Sequence, residues 1–440
     1  LDSRQCSKFV PILALLSGML ITMHCPRVTL AQPSAQAWSP PAWVLPPQDV
    51  RNYFRLEYLR DKNSLKSANP GGDQTRQIKR IVQAFLSQLT QEDPGNLPKT
   101  VVDRLLADLH FPSTTVAAKG VAMEELVKLI PDLMQHPNDL VRYNALSILV
   151  QMSLKQAQSQ GGNEIPAVPY NPAHRVFLQV VQDPNQNLSC RILAARGLQR
   201  ICRDGENAPS SNEKSDIATV LVSTLAANPP SSEDGHWWFR LRLIEALGAV
   251  DRIDNTATQP IVLEALLDVI TDPKEVWLNR SMAAQCISQL PYSSSTNVQL
   301  ITSEILQLLA EMSDAFNKNP SSLEMREPFK RVYLSFRPAT AKLARERKWG
   351  LLYEIERPGL SGNANYVKGG WLVAFPILKR FMETNVSPNE PVAPISAAEL
   401  AALRSWLQQN PPASRQIVPG GKTYPLRESE AATAVGANSN

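Results

Sequence analysis

The residues that could do chemistry are few, and most fail on inspection. Gly420-Gly421-Lys422-Thr423 ends like a phosphate loop, but the pattern needs a glycine at position 416, which is Gln416. Tyr424-Pro425 then forbids the helix whose N-terminus would cradle a phosphate. There is no Gly-x-Ser-x-Gly elbow for a serine hydrolase, no His-Glu-x-x-His for zinc and no Cys-x-x-Cys-His for haem. His110, His136, His174 and His236 are too dispersed to suggest a metal site, so neither metal nor cofactor is expected. The pair Glu124-Glu125 reads as a solvated helix face rather than a catalytic dyad.

Two stretches carry recognition chemistry instead. Between residues 326 and 380 lie twelve Lys and Arg against four Glu, a net of +8. Arg326, Lys330, Arg331, Arg337, Lys342, Arg345, Arg347, Lys348 and Trp349 form its dense part, interleaved with Phe329, Tyr333, Phe336, Tyr353, Tyr366, Trp371 and Phe375. Basic groups among flat rings suit an anionic partner, or else the rings are core and the charges a solvated face. The second stretch is His236-Trp237-Trp238-Phe239. Adjacent residues on a helix point about 100° apart, so one tryptophan can be buried while the other anchors a partner, or else both rings pack between repeats.

These residues must sit on helices, because the apolar period stays near 3.6 over most of the chain. Asp49–Lys62, Asp73–Thr90 and Lys99–His110 read as the first helical segments, the last stopped by Phe111-Pro112. Four later segments repeat one pattern. Arg142 is followed by Ala145, Leu146 and Leu149; Arg191 by Ala194, Ala195 and Leu198. Arg242 is followed by Glu245, Ala246 and Ala249; Arg280 by Ala283, Ala284 and Ile287. Asp183, Asp234 and Asp272 stand eight residues before Arg191, Arg242 and Arg280, two of them in Asp-Pro. Each segment follows a partner with its own apolar stripe: Met123, Val127, Ile130 and Met134 before the first, for instance, and Val262, Leu266, Val269 and Ile270 before the fourth. A helix pair that cannot cover its own apolar face must stack on the next pair.

Asp183-Pro184 before Arg191-Ile192-Leu193-Ala194-Ala195, with Leu140 to Leu146, resembles the HEAT repeat family over residues 113–290. The sequence departs from that pattern at Glu245, where the family has alanine. The resemblance implies an all-α fold, an α-solenoid of stacked antiparallel helix pairs with extra helices at both ends. It also implies a structural ladder of Arg142, Asp183, Arg191, Asp234, Arg242, Asp272 and Arg280, and it says little about the partner.

Residues 1–37 read as a signal peptide: Arg4 and Lys8 precede an uncharged, mainly apolar run from Phe9 to Met23, and Ala35-Gln36-Ala37 offers a cleavage site. Export to the periplasm or cell exterior is therefore expected, with a membrane tether if the segment stays uncleaved. A Pro-rich linker is expected over 38–48, N-terminal helices over 49–112, the repeat core over 113–315 and the basic, aromatic-rich helical region over 316–384. A Pro-rich tail over 385–440 should hold one helix at 396–409 and a disordered end. Without residues 1–37 the chain has 42 basic and 40 acidic residues, which gives no reason to expect a nucleic acid partner. Cys190 and Cys202 would lie about 18 Å apart on one helix, too far for a disulfide, so these and Cys286 read as buried apolar side chains. The leading expectation is an exported, non-catalytic scaffold for a protein or an anionic envelope component. The alternatives are a polysaccharide-acting enzyme on a helical toroid and a structural part of a cell-envelope assembly.

Overall fold

Helix periodicity dominates the structure as it does the sequence. A computed structural model describes residues 38–91, 98–160, 163–203, 208–338, 349–382 and 392–425. The expected signal segment lies outside the described residues, as does 426–440. Among the described residues there are seventeen α-helices, and the only β structure is a hairpin of Gln158–Gln160 with Asn163–Ile165 plus two isolated bridges. The fold is all-α.

The helices are α1 (Pro47–Leu56), α2 (Tyr58–Lys62), α3 (Gly72–Leu89), α4 (Pro98–His110), α5 (Val116–Leu133), α6 (Asp139–Gln151) and α7 (His174–Gln182). They continue with α8 (Leu188–Arg203), α9 (Ser211–Ala227), α10 (His236–Ala249), α11 (Ile261–Thr271), α12 (Trp277–Ile287), α13 (Val298–Lys318) and α14 (Arg326–Phe336). The last three are α15 (Leu351–Glu354), α16 (Ala364–Met382) and α17 (Ala397–Gln409). Their starts follow local chemistry. Thr115 Oγ1 accepts from Ala118 N at 3.1 Å, and Asn138 Oδ1 accepts from Leu140 N at 2.9 Å. Ser210 with Glu213 and Ser396 with Glu399 form capping boxes. Asp183-Pro184 ends α7, but the cap of α8 is Asn187, whose Oδ1 accepts from Cys190 N at 2.9 Å.

From α3 onward each odd-numbered helix packs on the even-numbered helix after it, up to α13 with α14. Helices α4, α6, α8, α10, α12 and α14 pack each on the next, and so do α3, α5, α7, α9, α11 and α13. The helices that carry Arg142, Arg191, Arg242 and Arg280 therefore lie side by side in sequence order. Alanine makes this possible: Ala145, Ala194, Ala195, Ala246, Ala283 and Ala284 are all fully buried at these contacts. Helix α16 lies on α13 and α14, and α17 on α13 and α16. Trp406 holds α17 in place, its ring 5.0 Å from that of Tyr366.

The proline-rich segment is not a free linker. Trp43 Nε1 donates to Asp132 Oδ2 at 2.8 Å, Leu45 N donates to Ser87 Oγ at 2.9 Å, and α1 begins at Pro47. The failed phosphate loop has a structural use. Residues 414–424 return along α13 and α11, with Asn297 Nδ2 donating to Ser414 O at 2.8 Å and Arg415 pairing with buried Glu304 at 2.7 Å. The turn at Gly420, in the left-handed region at φ 77°, lets Lys422 N reach Glu264 Oε1 at 2.9 Å. Cys190, Cys202 and Cys286 are buried free thiols, and burial pushes them up to about 11, about 12 and about 12.

Two glycines mark the closest helix crossings. A Cβ at Gly197 would lie 2.6 Å from the Phe177 ring, and one at Gly248 would lie 2.5 Å from Cys286 Sγ. Gly197→Ala and Gly248→Ala should each cost about 1–3 kcal/mol in urea unfolding. Gly120→Ala, in open space on α5, should instead stabilise by about 0.5–1 kcal/mol.

Candidate interaction surface

A polar chain crosses three helix pairs and fixes the N-terminal end of α10. Arg191 Nε donates to Val181 O at 3.1 Å, on the last turn of α7. Its Nη1 reaches Asn228 Oδ1 at 3.4 Å, and its guanidinium lies 4.5 Å from the Phe239 ring. Arg240 then donates to Leu225 O at 3.0 Å and to Asn228 O, on the last turn of α9 and just beyond it. Arg240 Nε reaches Glu275 Oε2 at 2.6 Å, and both side chains are buried. Glu275 Oε1 accepts from Asn279 Nδ2 at 2.8 Å, and the same amide donates to Trp237 O at 3.0 Å. Arg280 repeats the rung on the next pair, with Nε on Ile270 O at 2.9 Å and Nη2 on Glu311 at 2.7 Å.

The rungs are thus Arg191, Arg240 and Arg280. Arg242 is not one: it pairs with Glu245 of its own helix and lies over the Trp238 ring at 4.7 Å. Arg142 pairs with Asp139 of its own helix. Asp183 and Asp272 do not bond to the rungs; they accept from Asn185 N and Lys274 N, both at 2.9 Å, and shape turns. Burial lowers the Arg191 pKa, and the Asp183 charge opposes that shift through space. Asp234 is exposed.

Both tryptophans are exposed, Trp237 at 37% and Trp238 at 38%, which corrects the readings that bury one or both of them. Phe239 takes the buried position, and the two indoles meet edge to face at 5.3 Å. Further exposed apolar groups stand at the starts of neighbouring helices of the same row: Leu140 on α6, Val276 before α12 and Leu323 before α14. Leu188 at the start of α8 lies beside Gly235, which precedes α10.

The basic region divides. Lys342, Arg345, Arg347 and Lys348 lie outside the described residues. Lys330 is exposed, while Arg326, Arg337 and Trp349 are half-buried. Arg331 is held by Glu327 at 2.6 Å and by Gln285 at 3.0 Å. The rings are mostly structural. Phe329, Tyr333 and Phe336 are buried, and Phe329 stacks on Phe381 at 3.9 Å. Phe375, 39% exposed, is the ring that stays open, beside exposed Leu372.

Glu125 is buried, not solvated, and accepts from Gln83 Nε2 at 2.8 Å near Lys79. No group of three or more His, Cys, Asp or Glu side chains placed to hold a metal ion forms among the described residues. Asp251, Glu354 and Glu356 border a recess of about 500 Å³, where Arg357 pins Glu354 at 2.7 Å while burial raises its pKa. No helix among the described residues is long and apolar enough to cross a membrane.

The chain matches no known family model, no curated protein and no solved structure.

Sequence reasoning missed Arg240, and it missed Arg196 and Arg200, which share one face of α8. The spacing of four between the last two was a readable sign. An exposed indole pair should be quenched by acrylamide. Replacing both Trp237 and Trp238 by Phe should remove a quenchable, red-shifted share of the fluorescence; an unchanged spectrum and quenching constant would show that the rings are buried.

Proposed function

We propose that the chain is an exported binding scaffold, an α-solenoid of HEAT-like helix pairs that presents the even-numbered helices to a protein partner. The observation that carries this reading is the exposed Trp237–Trp238 pair at the edge of that row, held from behind by the Asn279 bond to Trp237 O and covered at one face by Arg242. Tryptophan and arginine are the residue types enriched at binding hot spots, because they bury much area for little lost freedom. A rigid backbone behind them lowers the ordering cost of association. The helix order and the alanine-lined contacts support a solenoid, and the run from Phe9 to Met23 after Arg4 and Lys8 supports export.

The test is affinity capture from envelope extract with the full chain and with Trp238→Ala. A partner held by the wild type should be lost on substitution by at least tenfold, with the thermal midpoint kept within about 2 °C. Equal capture by both proteins would reject the tryptophan edge as the binding surface.

A further inference from the structure

The even-numbered row holds a second feature, a recess of about 650 Å³ between α4, α6 and α8. That volume falls within the usual ~300–1,000 Å³ of ligand pockets. Its floor is apolar: Leu106, Val150 and Leu193 are buried there. Its walls are polar, with Asp103 and His110 from α4, Tyr143 and Ser147 from α6, and Arg196 and Arg200 from α8.

The charges in this recess are not arranged for stability. Arg196 and Arg200 are four residues apart on one helix face, where like charges repel. Arg200 is anchored: it donates to Met152 O at 2.8 Å, to Val150 O and to Ser153 Oγ, and so holds a fixed positive charge in the wall. Lys119 and Arg200 both lie near enough to His110 to oppose its protonation, after desolvation as the larger cause. The one acid, Asp103, is engaged by Lys99 of its own helix. Arg196 is exposed and has no ion pair or hydrogen bond among the described residues. His110 Nε2 is buried without a partner among them.

We propose that this recess binds an acidic peptide segment, with a carboxylate on the Arg196 guanidinium in the field of Arg200. This deepens the scaffold reading and rests on it. Arginine's planar fork matches a carboxylate in two parallel bonds. The Tyr143 and Ser147 hydroxyls offer donors and acceptors for a peptide backbone, and the Leu106–Val150–Leu193 floor takes an apolar neighbour of the acid. A recess between three helices with an apolar floor fits a side-chain-bearing chain better than a membrane surface, which needs a broad outward face.

The probe is a fluorescein-labelled decapeptide of alternating glutamate and leucine, measured by anisotropy against the full chain, with a glutamine-for-glutamate counterpart. Saturable binding is expected, weakened at least tenfold by Arg196→Glu and by the glutamine peptide, and several-fold by Tyr143→Phe. Trp238→Ala should leave it unchanged. Equal affinity for the two peptides, or full affinity in both Arg196→Glu and Arg196→Gln, would overturn the assignment. So would displacement by phosphatidylglycerol vesicles at lipid concentrations where neutral vesicles have no effect. If the acidic peptide fails to bind while Trp238-dependent capture persists, this assignment falls alone; if the peptide binds through Arg196 while capture ignores Trp238, the tryptophan edge falls alone.

Discussion

A buried guanidinium that satisfies the carbonyls at the end of the preceding helix is the interaction on which the described fold depends. The last carbonyls of a helix have no partner within it, and they carry the negative end of the helix dipole. Val181 O, Leu225 O and Ile270 O are such groups, and each receives an arginine from the following helix. The arginines are themselves costly to bury. That cost is offset by the carbonyls, by Glu275 and Glu311, and by the ring faces of Phe239 and Trp277, the latter 5.0 Å from Arg280. Asn228 joins Arg191 to Arg240, and Glu275 with Asn279 carries the chain on to α12. Pairs of helices are thus tied at a fixed register, not merely pressed together by apolar contact.

Apolar packing alone would let the rows slide. Alanines allow close approach but define few notches, and a hydrophobic interface tolerates many nearly equal arrangements. A hydrogen-bonded chain with one satisfying geometry removes that freedom, because any slip leaves buried polar groups unpaired. The binding edge inherits this rigidity. Trp237 is bonded through its backbone to Asn279, so the exposed indoles stand on the same network that sets the register.

Much of this was legible in the sequence, and the misreadings have physical causes. Helix type, the alanine contacts and the neighbour order followed from period and spacing. The third rung was misplaced because Arg240 and Arg242 share a helix and only Arg242 keeps the three, four and seven offsets. The turn before α10 is longer than those before α8 and α12, so the rung there spans fifteen residues rather than ten. The tryptophans were misjudged because Phe239, one position on, fits the interior. Aromatic density between 326 and 380 could not distinguish a binding face from a core; the partners that bury Phe329, Phe381 and Phe316 come from three different helices. The basic residues of α8 escaped notice because two arginines on one face stand out only when the opposing helices α4 and α6 bring no free acid.

The most direct test of the ladder compares urea unfolding of Arg240→Met with that of Arg242→Met. Losing Arg240 strands the buried Glu275 carboxylate and should cost about 3–5 kcal/mol, whereas losing Arg242 removes a partly exposed pair with Glu245 of its own helix and should cost about 1 kcal/mol or less. Equal losses, or the larger loss at Arg242, would contradict the claim that buried arginines set the helix register.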